Sequence, residues 1–264
     1  MNYHNYYQGF RRKGLSEPAQ MFAESNLFTP TAAQKYMLGC KYETNDGRLF
    51  RYAKDSGSAS TRGLMQCAEP PDAQALGKAQ TAYGVSVGES KFDILCTTGN
   101  GITDHELIDG YLWVNASTPG SAAGSFYIIK DNYWITSDTV MMVEIADYGG
   151  VRTAIAATDD ISFQPNIYRN TKTNPTTQDA IVIGVPMETV AAGYYYWAQR
   201  RGVCPLLIDA NDTVVVGEPV GKAGTAGTAG AGGLIANDGT DATWGTVIVA
   251  PTHSEYGLVY LNLE

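Results

Sequence analysis

The stretch Lys41-Tyr42-Glu43-Thr44-Asn45-Asp46-Gly47-Arg48-Leu49-Phe50-Arg51-Tyr52-Ala53-Lys54 decides the fold class. Segments of strand composition flank Asn45-Asp46-Gly47, and an Asp-Gly pair in that setting is a strong short-range hairpin signal. In the second segment Leu49, Arg51 and Ala53 fall on one face, and Phe50 and Tyr52 on the other.

The same grammar extends outward. Strands are expected over residues 84–87, 91–96, 110–114, 125–130, 139–145 and 151–156, separated by loops rich in Gly, Asn, Asp and Pro. The last third repeats the pattern at 181–185, 194–199, 203–208, 213–216, 246–250 and 257–263. Tyr194-Tyr195-Tyr196-Trp197-Ala198-Gln199 has some helical content, but its aromatics and the flanking Gly193 and Gly202 favour a strand ending in a turn. Pro205 marks an edge or a bulge in the next strand. From Gly221 to Gly233 glycine recurs at every third position in a short, proline-free run, which reads as a surface loop and not as collagen.

Composition supports this reading. Of 264 residues, 44% are hydrophobic and 11% aromatic, enough for a core, while the 17% charged falls below the usual roughly 25% and disfavours long solvated helices. No run of about 18 apolar residues occurs, and the N-terminus lacks the basic-then-apolar order of a signal peptide, so no membrane partner is expected. Cys40, Cys67, Cys96 and Cys204 are scattered without a CxxC pair and read as free buried thiols, suited to a reducing cytoplasm.

Charge is uneven. Residues 1–62 hold nine Lys/Arg and five Asp/Glu, a net of +4, and the remainder carries −13. Such an acidic body is repelled by a phosphate backbone, which excludes nucleic acid as a partner for most of its surface. Residues 1–35 combine aromatics with a basic triplet and show no sustained period beyond a short helix candidate at 16–25. They read as an extended arm that orders against a partner through Tyr3, Tyr6, Tyr7, Phe10, Arg11, Arg12, Lys13, Phe22 and Phe28, residue types enriched at interfaces.

Few strings in the chain come near a chemical motif. Gly217-Glu218-Pro219-Val220-Gly221-Lys222-Ala223 is one residue short of a phosphate loop, lacks its hydroxyl, and places Pro219 where a backbone donor is needed. In His105-Glu106-Leu107-Ile108-Asp109 an aspartate sits where a zinc-protease helix needs its second histidine, so a solvated turn is expected. Asp159-Asp160 lacks calcium-loop spacing, and Gly120-Ser121-Ala122-Ala123-Gly124 lacks the serine-centred spacing of a nucleophile elbow. No enzyme, metal or cofactor is expected. The fold expected is all-β: a β-sandwich or barrel-like body over 36–264, or two β lobes with 81–179 as an inserted one, preceded by the arm.

Three blocks in a fixed order carry a resemblance: 38–66, centred on Asp46-Gly47-Arg48-Leu49-Phe50-Arg51-Tyr52-Ala53-Lys54; 192–209, with Gly193-Tyr194-Tyr195-Tyr196-Trp197; and 244–264, ending Tyr256-Gly257-Leu258-Val259-Tyr260-Leu261-Asn262-Leu263. With Asp109-Gly110-Tyr111-Leu112-Trp113-Val114-Asn115 between them, they resemble a family of tailed-bacteriophage virion structural proteins. The resemblance spans about residues 36–264 and implies a particle component without enzymatic activity. Concentrated DNA inside a head disfavours an acidic body, so the expectation is a capsid decoration or cement protein on the outer capsid surface. Its partner would be the major capsid protein, with homotrimerisation at a symmetry axis as the natural oligomer. The alternative is a tail, baseplate or fibre component that binds a host surface through its loops.

Overall fold

The computed structural model describes residues 27–71, 79–81, 83–96, 102–115, 122–136, 139–175, 180–209, 213–222, 234–236, 243–252 and 255–264. The chain is all-β, with no α-helix among these residues. Its strands are β1 (Lys41–Glu43), β2 (Leu49–Lys54), β3 (Gln66–Cys67), β4 (Ala79–Thr81), β5 (Lys91–Leu95), β6 (Tyr111–Val114), β7 (Phe126–Thr136), β8 (Val140–Ile145), β9 (Asp160–Gln164), β10 (Lys172–Thr173), β11 (Val182–Pro186), β12 (Tyr195–Leu207), β13 (Pro219–Lys222), β14 (Leu234–Ala236), β15 (Gly245–Val249) and β16 (Tyr256–Asn262).

The β1–β2 hairpin forms where its turn chemistry places it, with Glu43 opposite Leu49. Gly47 takes a φ of 83°. Its N–H donates to Thr44 O at 2.9 Å and Thr44 N–H donates to Arg48 O at 2.9 Å, closing a three-residue loop.

This hairpin belongs to a ten-stranded antiparallel sheet in the order β10-β3-β11-β12-β16-β15-β13-β14, with β2 on β12 and β1 on β2. The organising strand is β12, which carries β2 and β11 along its first half and β16 along its second. The expected break at Gly202 is not there. The strand passes through it with a φ of 90°, beside a register shift at Gln199/Arg201, and a β-carbon at Gly202 would stand 2.9 Å from Arg48 Cγ. Glycine here allows a bulge and a close crossing, so the two expected strands at 194–199 and 203–208 are one.

Two apolar clusters pack against this sheet. One joins Phe50, Tyr52, Ile183, Tyr196 and Trp197, and the other Met65, Val185, Leu206, Trp244, Val259 and Leu261. β11 is buried at every position and supplies side chains to both, which explains its unbroken apolar sequence. The Glu264 carboxylate ties the sheet together: both its oxygens accept from Arg51, at 2.9 and 3.0 Å, and Oε1 lies 3.0 Å from Arg200 Nε. The Arg200 side chain is nine-tenths buried and also donates to the carbonyls of Val182 and Leu263.

Between β3 and β10 the chain closes a second unit, the six-stranded antiparallel barrel β4-β5-β8-β7-β6-β9. Strict alternation sends Phe92 and Ile94, Leu112 and Val114, and Tyr127 and Ile129 inward, where they fill the barrel with Met141, Val143, Ile161 and Phe163. β3 and β10 pair with each other, Cys67 opposite Lys172, so the chain leaves and re-enters the large sheet at one place. The segments 84–87 and 151–156, expected as strands, contribute one bridge, Val85 to Ile155. Positive φ at Gly84, Gly88, Gly149 and Gly150 ends the ladder there, while Val85, Val151 and Ile155 join the barrel core. Likewise 213–216 is no strand: its backbone turns back on β15, with Val214 alone of the three valines buried.

The triplet-glycine run lies outside the described residues apart from its first two residues. Those belong to β13, which pairs antiparallel with β14 beyond the run.

Candidate docking face

Of the residues expected to contact a partner, Tyr3, Tyr6, Tyr7, Phe10, Arg11, Arg12, Lys13 and Phe22 lie outside the described residues, as does the 16–25 helix candidate. Phe28 is described and exposed, next to a buried Leu27. Residues 27–35, read from sequence as the end of an extended arm, are instead docked on the body. Thr31 forms a two-way backbone bridge with Tyr195, at 2.9 and 2.8 Å, and Lys35 N–H donates to Tyr52 Oη at 3.1 Å.

The dock is aromatic. Tyr36 meets Tyr52 edge-on at 5.1 Å and Trp197 at 5.4 Å, with Tyr52 5.1 Å from Trp197. Each such pair adds about 0.5–1.5 kcal/mol beyond the area it buries. Part of the aromatic excess in the sequence is therefore used within the chain and not offered to a partner.

A surface that sequence reasoning did not single out lies on the outer face of β12, β16 and β15. Cross-strand register stacks it in rows: Val203 beside Tyr260, Pro205 beside Leu258 and Val249, and Leu207 beside Tyr256. Tyr256 and Tyr260 are 51% and 47% exposed and Val249 53%. Val215 and Val216 are also exposed, in the turn whose Gly217 N–H and Glu218 carbonyl bond to Val247 of β15. The inner set of the same strands, Cys204, Leu206, Val247, Val259 and Leu261, is core. An antiparallel sheet with one face in water alternates apolar with polar residues, whereas β12 from Val203 to Leu207 and β16 from Tyr256 to Tyr260 are apolar on both faces, with Thr246 of β15 the polar neighbour of Tyr260. The signal was present in Tyr256-Gly257-Leu258-Val259-Tyr260-Leu261, where neither alternating set is charged.

The patch runs into a crevice of about 220 Å³ lined by Arg62, Gly63, Pro186, Met187, Pro205 and Tyr256. Its geometry follows from Gly63, whose absent side chain lets the Tyr256 ring lie on the backbone: a β-carbon there would be 2.5 Å from Cε1. Tyr256 Oη donates to Arg62 O at 3.3 Å, and Gly63 is stitched to β11 and β12 through Pro186 O and Leu207 N–H. A contiguous apolar patch with a shaped pocket at its rim is the form of a protein-docking surface. Covering a half-exposed tyrosine ring stabilises a complex by about 1 kcal/mol, so several such residues together sustain specific binding.

The chemistry-bearing strings take structural places. His105–Asp109 forms part of a turn, with His105 Nδ1 2.7 Å from Asp131 Oδ1. Asp159 Oδ2 caps Ala156 N–H at 2.9 Å, and the phosphate-loop-like string becomes a turn running into β13. All four thiols are free, and burial pushes those of Cys40, Cys96 and Cys204 up to about 12. No family model, curated protein or solved structure matches this chain.

Proposed function

We propose that this chain is a structural protein of a tailed-bacteriophage virion, a capsid decoration or cement protein that binds the outside of the head and stabilises contacts between major capsid protein subunits. The observation that carries the reading is the apolar outer face of β12–β16–β15, an adhesive surface on an otherwise acidic body. The charge division supports it, because the net +4 of residues 1–62 and the −13 of the remainder suit a chain that anchors by one end and turns its acidic part outward. In this reading residues 1–26 and the apolar face hold the capsid, and neighbouring copies meet as a closed homotrimer.

The test is occupancy on particles that lack the protein. Purified wild-type chain is expected to restore regular density over the head. A chain without residues 2–26, and separately Tyr260→Asp, should remain folded by circular dichroism and bind far more weakly. Full occupancy by both altered chains would sink the proposal, and gold labelling confined to the tail would move the protein to a tail, baseplate or fibre role.

A further inference from the structure

A second surface lies where the barrel meets the large sheet, and nothing in the docking reading uses it. It is a cleft of about 530 Å³ between the barrel turn at 103–108 on one side and Lys54, Arg169, Asn170 and Tyr195 on the other. The turn is fixed by a buried barrel residue. Asn132 Oδ1 accepts from Leu107 N–H at 2.7 Å, its Nδ2 donates to Thr103 O at 3.0 Å, and its carbonyl accepts from His105 N–H at 2.8 Å. The opposite wall is equally fixed, since Lys54 N–H donates to Tyr168 O at 2.8 Å and Thr171 N–H donates to Lys54 O at 2.9 Å. Both walls hold a non-glycine residue in the left-handed region, His105 at φ 63° and Asn170 at φ 53°. Such strain gathers at binding sites.

The charges are arranged asymmetrically. The acids of the cleft already serve internal donors. Glu106 Oε2 accepts from Thr103 N–H and Oγ1 at 2.7 and 2.8 Å, its Oε1 accepts from Asn170 Nδ2 at 3.3 Å, and Asp104 Oδ1 accepts from Trp134 N–H at 2.8 Å. The bases serve none. Among the described residues neither Lys54 nor Arg169 makes an ion pair, and Arg169 Nε is buried with no hydrogen-bond partner. Burial, and then the neighbouring charge of Arg169, hold the Lys54 ammonium below its ordinary range against the opposing charge of Glu106. Glu106 is committed to Thr103 and Asn170 and forms no ion pair with either cation, so two cations this close favour a further group of opposite charge. The Lys54 ammonium also stands 5.8 Å from the centre of the Tyr195 ring, an aromatic floor for the rest of a ligand.

We propose that this cleft binds the carboxylate or phosphate group of a small acidic ligand, seated between Lys54 and Arg169. The guanidinium offers a planar fork to two oxygens, and the ammonium supplies a point charge from the adjoining strand. The Tyr195 ring is placed to meet the uncharged part.

The probes are inorganic phosphate, glucuronate and neutral glucose, titrated calorimetrically into the full chain at constant ionic strength. Saturable binding is expected for phosphate, glucuronate or both, and none for glucose; the stronger anion names the source. Lys54→Met and Arg169→Met should each weaken it by about tenfold or more, while Arg62→Met, on the docking face, leaves it unchanged. In the wild-type chain the bound anion should also slow reductive methylation of Lys54 relative to Lys91, a readout that needs no variant. Absence of saturable binding by either anion, or equal methylation rates with and without anion, would overturn the site.

Discussion

Asp55 directly follows β2, is fully buried, and is expected to be a neutral acid in the folded chain. Its Oδ2 contacts Ser60 Oγ, which also lies 2.7 Å from Gln66 Oε1, while Gln66 Nε2 donates to Leu64 O at 3.0 Å and so fixes which end of the amide faces Ser60. A serine hydroxyl has one proton, and here it faces two acceptors. The count closes when Asp55 donates its own proton to Ser60 and Ser60 donates to Gln66. Asp55 Oδ1 is buried without a partner, as suits the carbonyl oxygen of a protonated acid better than a carboxylate. Burial, opposed by Ser60 and the Gly193 backbone, pushes the Asp55 carboxyl up to about 6. Each pH unit of displacement from the unfolded value corresponds to about 1.4 kcal/mol, so ionising this group in the folded chain costs about 2–3 kcal/mol. The sign is fixed by linkage. The contribution is fully present below the unfolded carboxylate range and is lost as pH rises through about 6. Asp55→Asn mimics the neutral acid, with Nδ2 donating to Ser60, and removes the titration. Urea unfolding of both chains from about pH 4 to pH 7.5 should show the variant gaining about 2–3 kcal/mol over wild type across that interval. Because other carboxylates titrate alike in both chains, the difference isolates Asp55. A difference constant to within about 0.5 kcal/mol would refute the proton count.

Three further outcomes follow from the packing. Glu264→Gln leaves the nine-tenths-buried Arg200 without its counter-charge and loosens Arg51, which should cost about 2–3 kcal/mol by urea denaturation. Burial raises the Glu264 carboxyl, but Arg51 and Arg200 outweigh it and hold it below its ordinary range, so this contribution is present at neutral pH and lost as pH falls through the folded value. Gly202→Ala puts a β-carbon 2.9 Å from Arg48 Cγ at a φ of 90°, and should lower stability by about 2–3 kcal/mol with the loss concentrated in β12 amide protection. Asn132→Ala strips the Leu107 N–H of its acceptor, costing about 1–3 kcal/mol, and should speed amide exchange at His105 and Leu107 while the Phe92 and Ile94 amides in β5 stay protected.

Much of the strand pattern was legible because it is local. Asn45-Asp46-Gly47 carries its own turn instruction, and the alternation in Lys91-Phe92-Asp93-Ile94 states which side is buried whatever the partner. Where glycine was involved, local reading diverged both ways. Gly202 looked like a stop and is a crossing point, whereas Gly84, Gly88, Gly149 and Gly150 end strands that the valine and isoleucine content promised. A glycine permits positive φ, and only its neighbours in space decide whether a turn or a bulge uses it.

By itself the sequence determined the all-β class, the hairpin and the acidic body, since each rests on residue type, nearest-neighbour spacing or summed charge. The tertiary structure alone decided that β4 to β9 close a barrel, that β3 and β10 meet at its base, and that the outer face of β12–β16–β15 is apolar over three strands at once. It also brought Lys54 beside Arg169 with neither in an ion pair among the described residues, a pairing of residues distant in the chain. Strand partners and shared surfaces are set by long-range register, in which any apolar strand fits several neighbours and packing selects one.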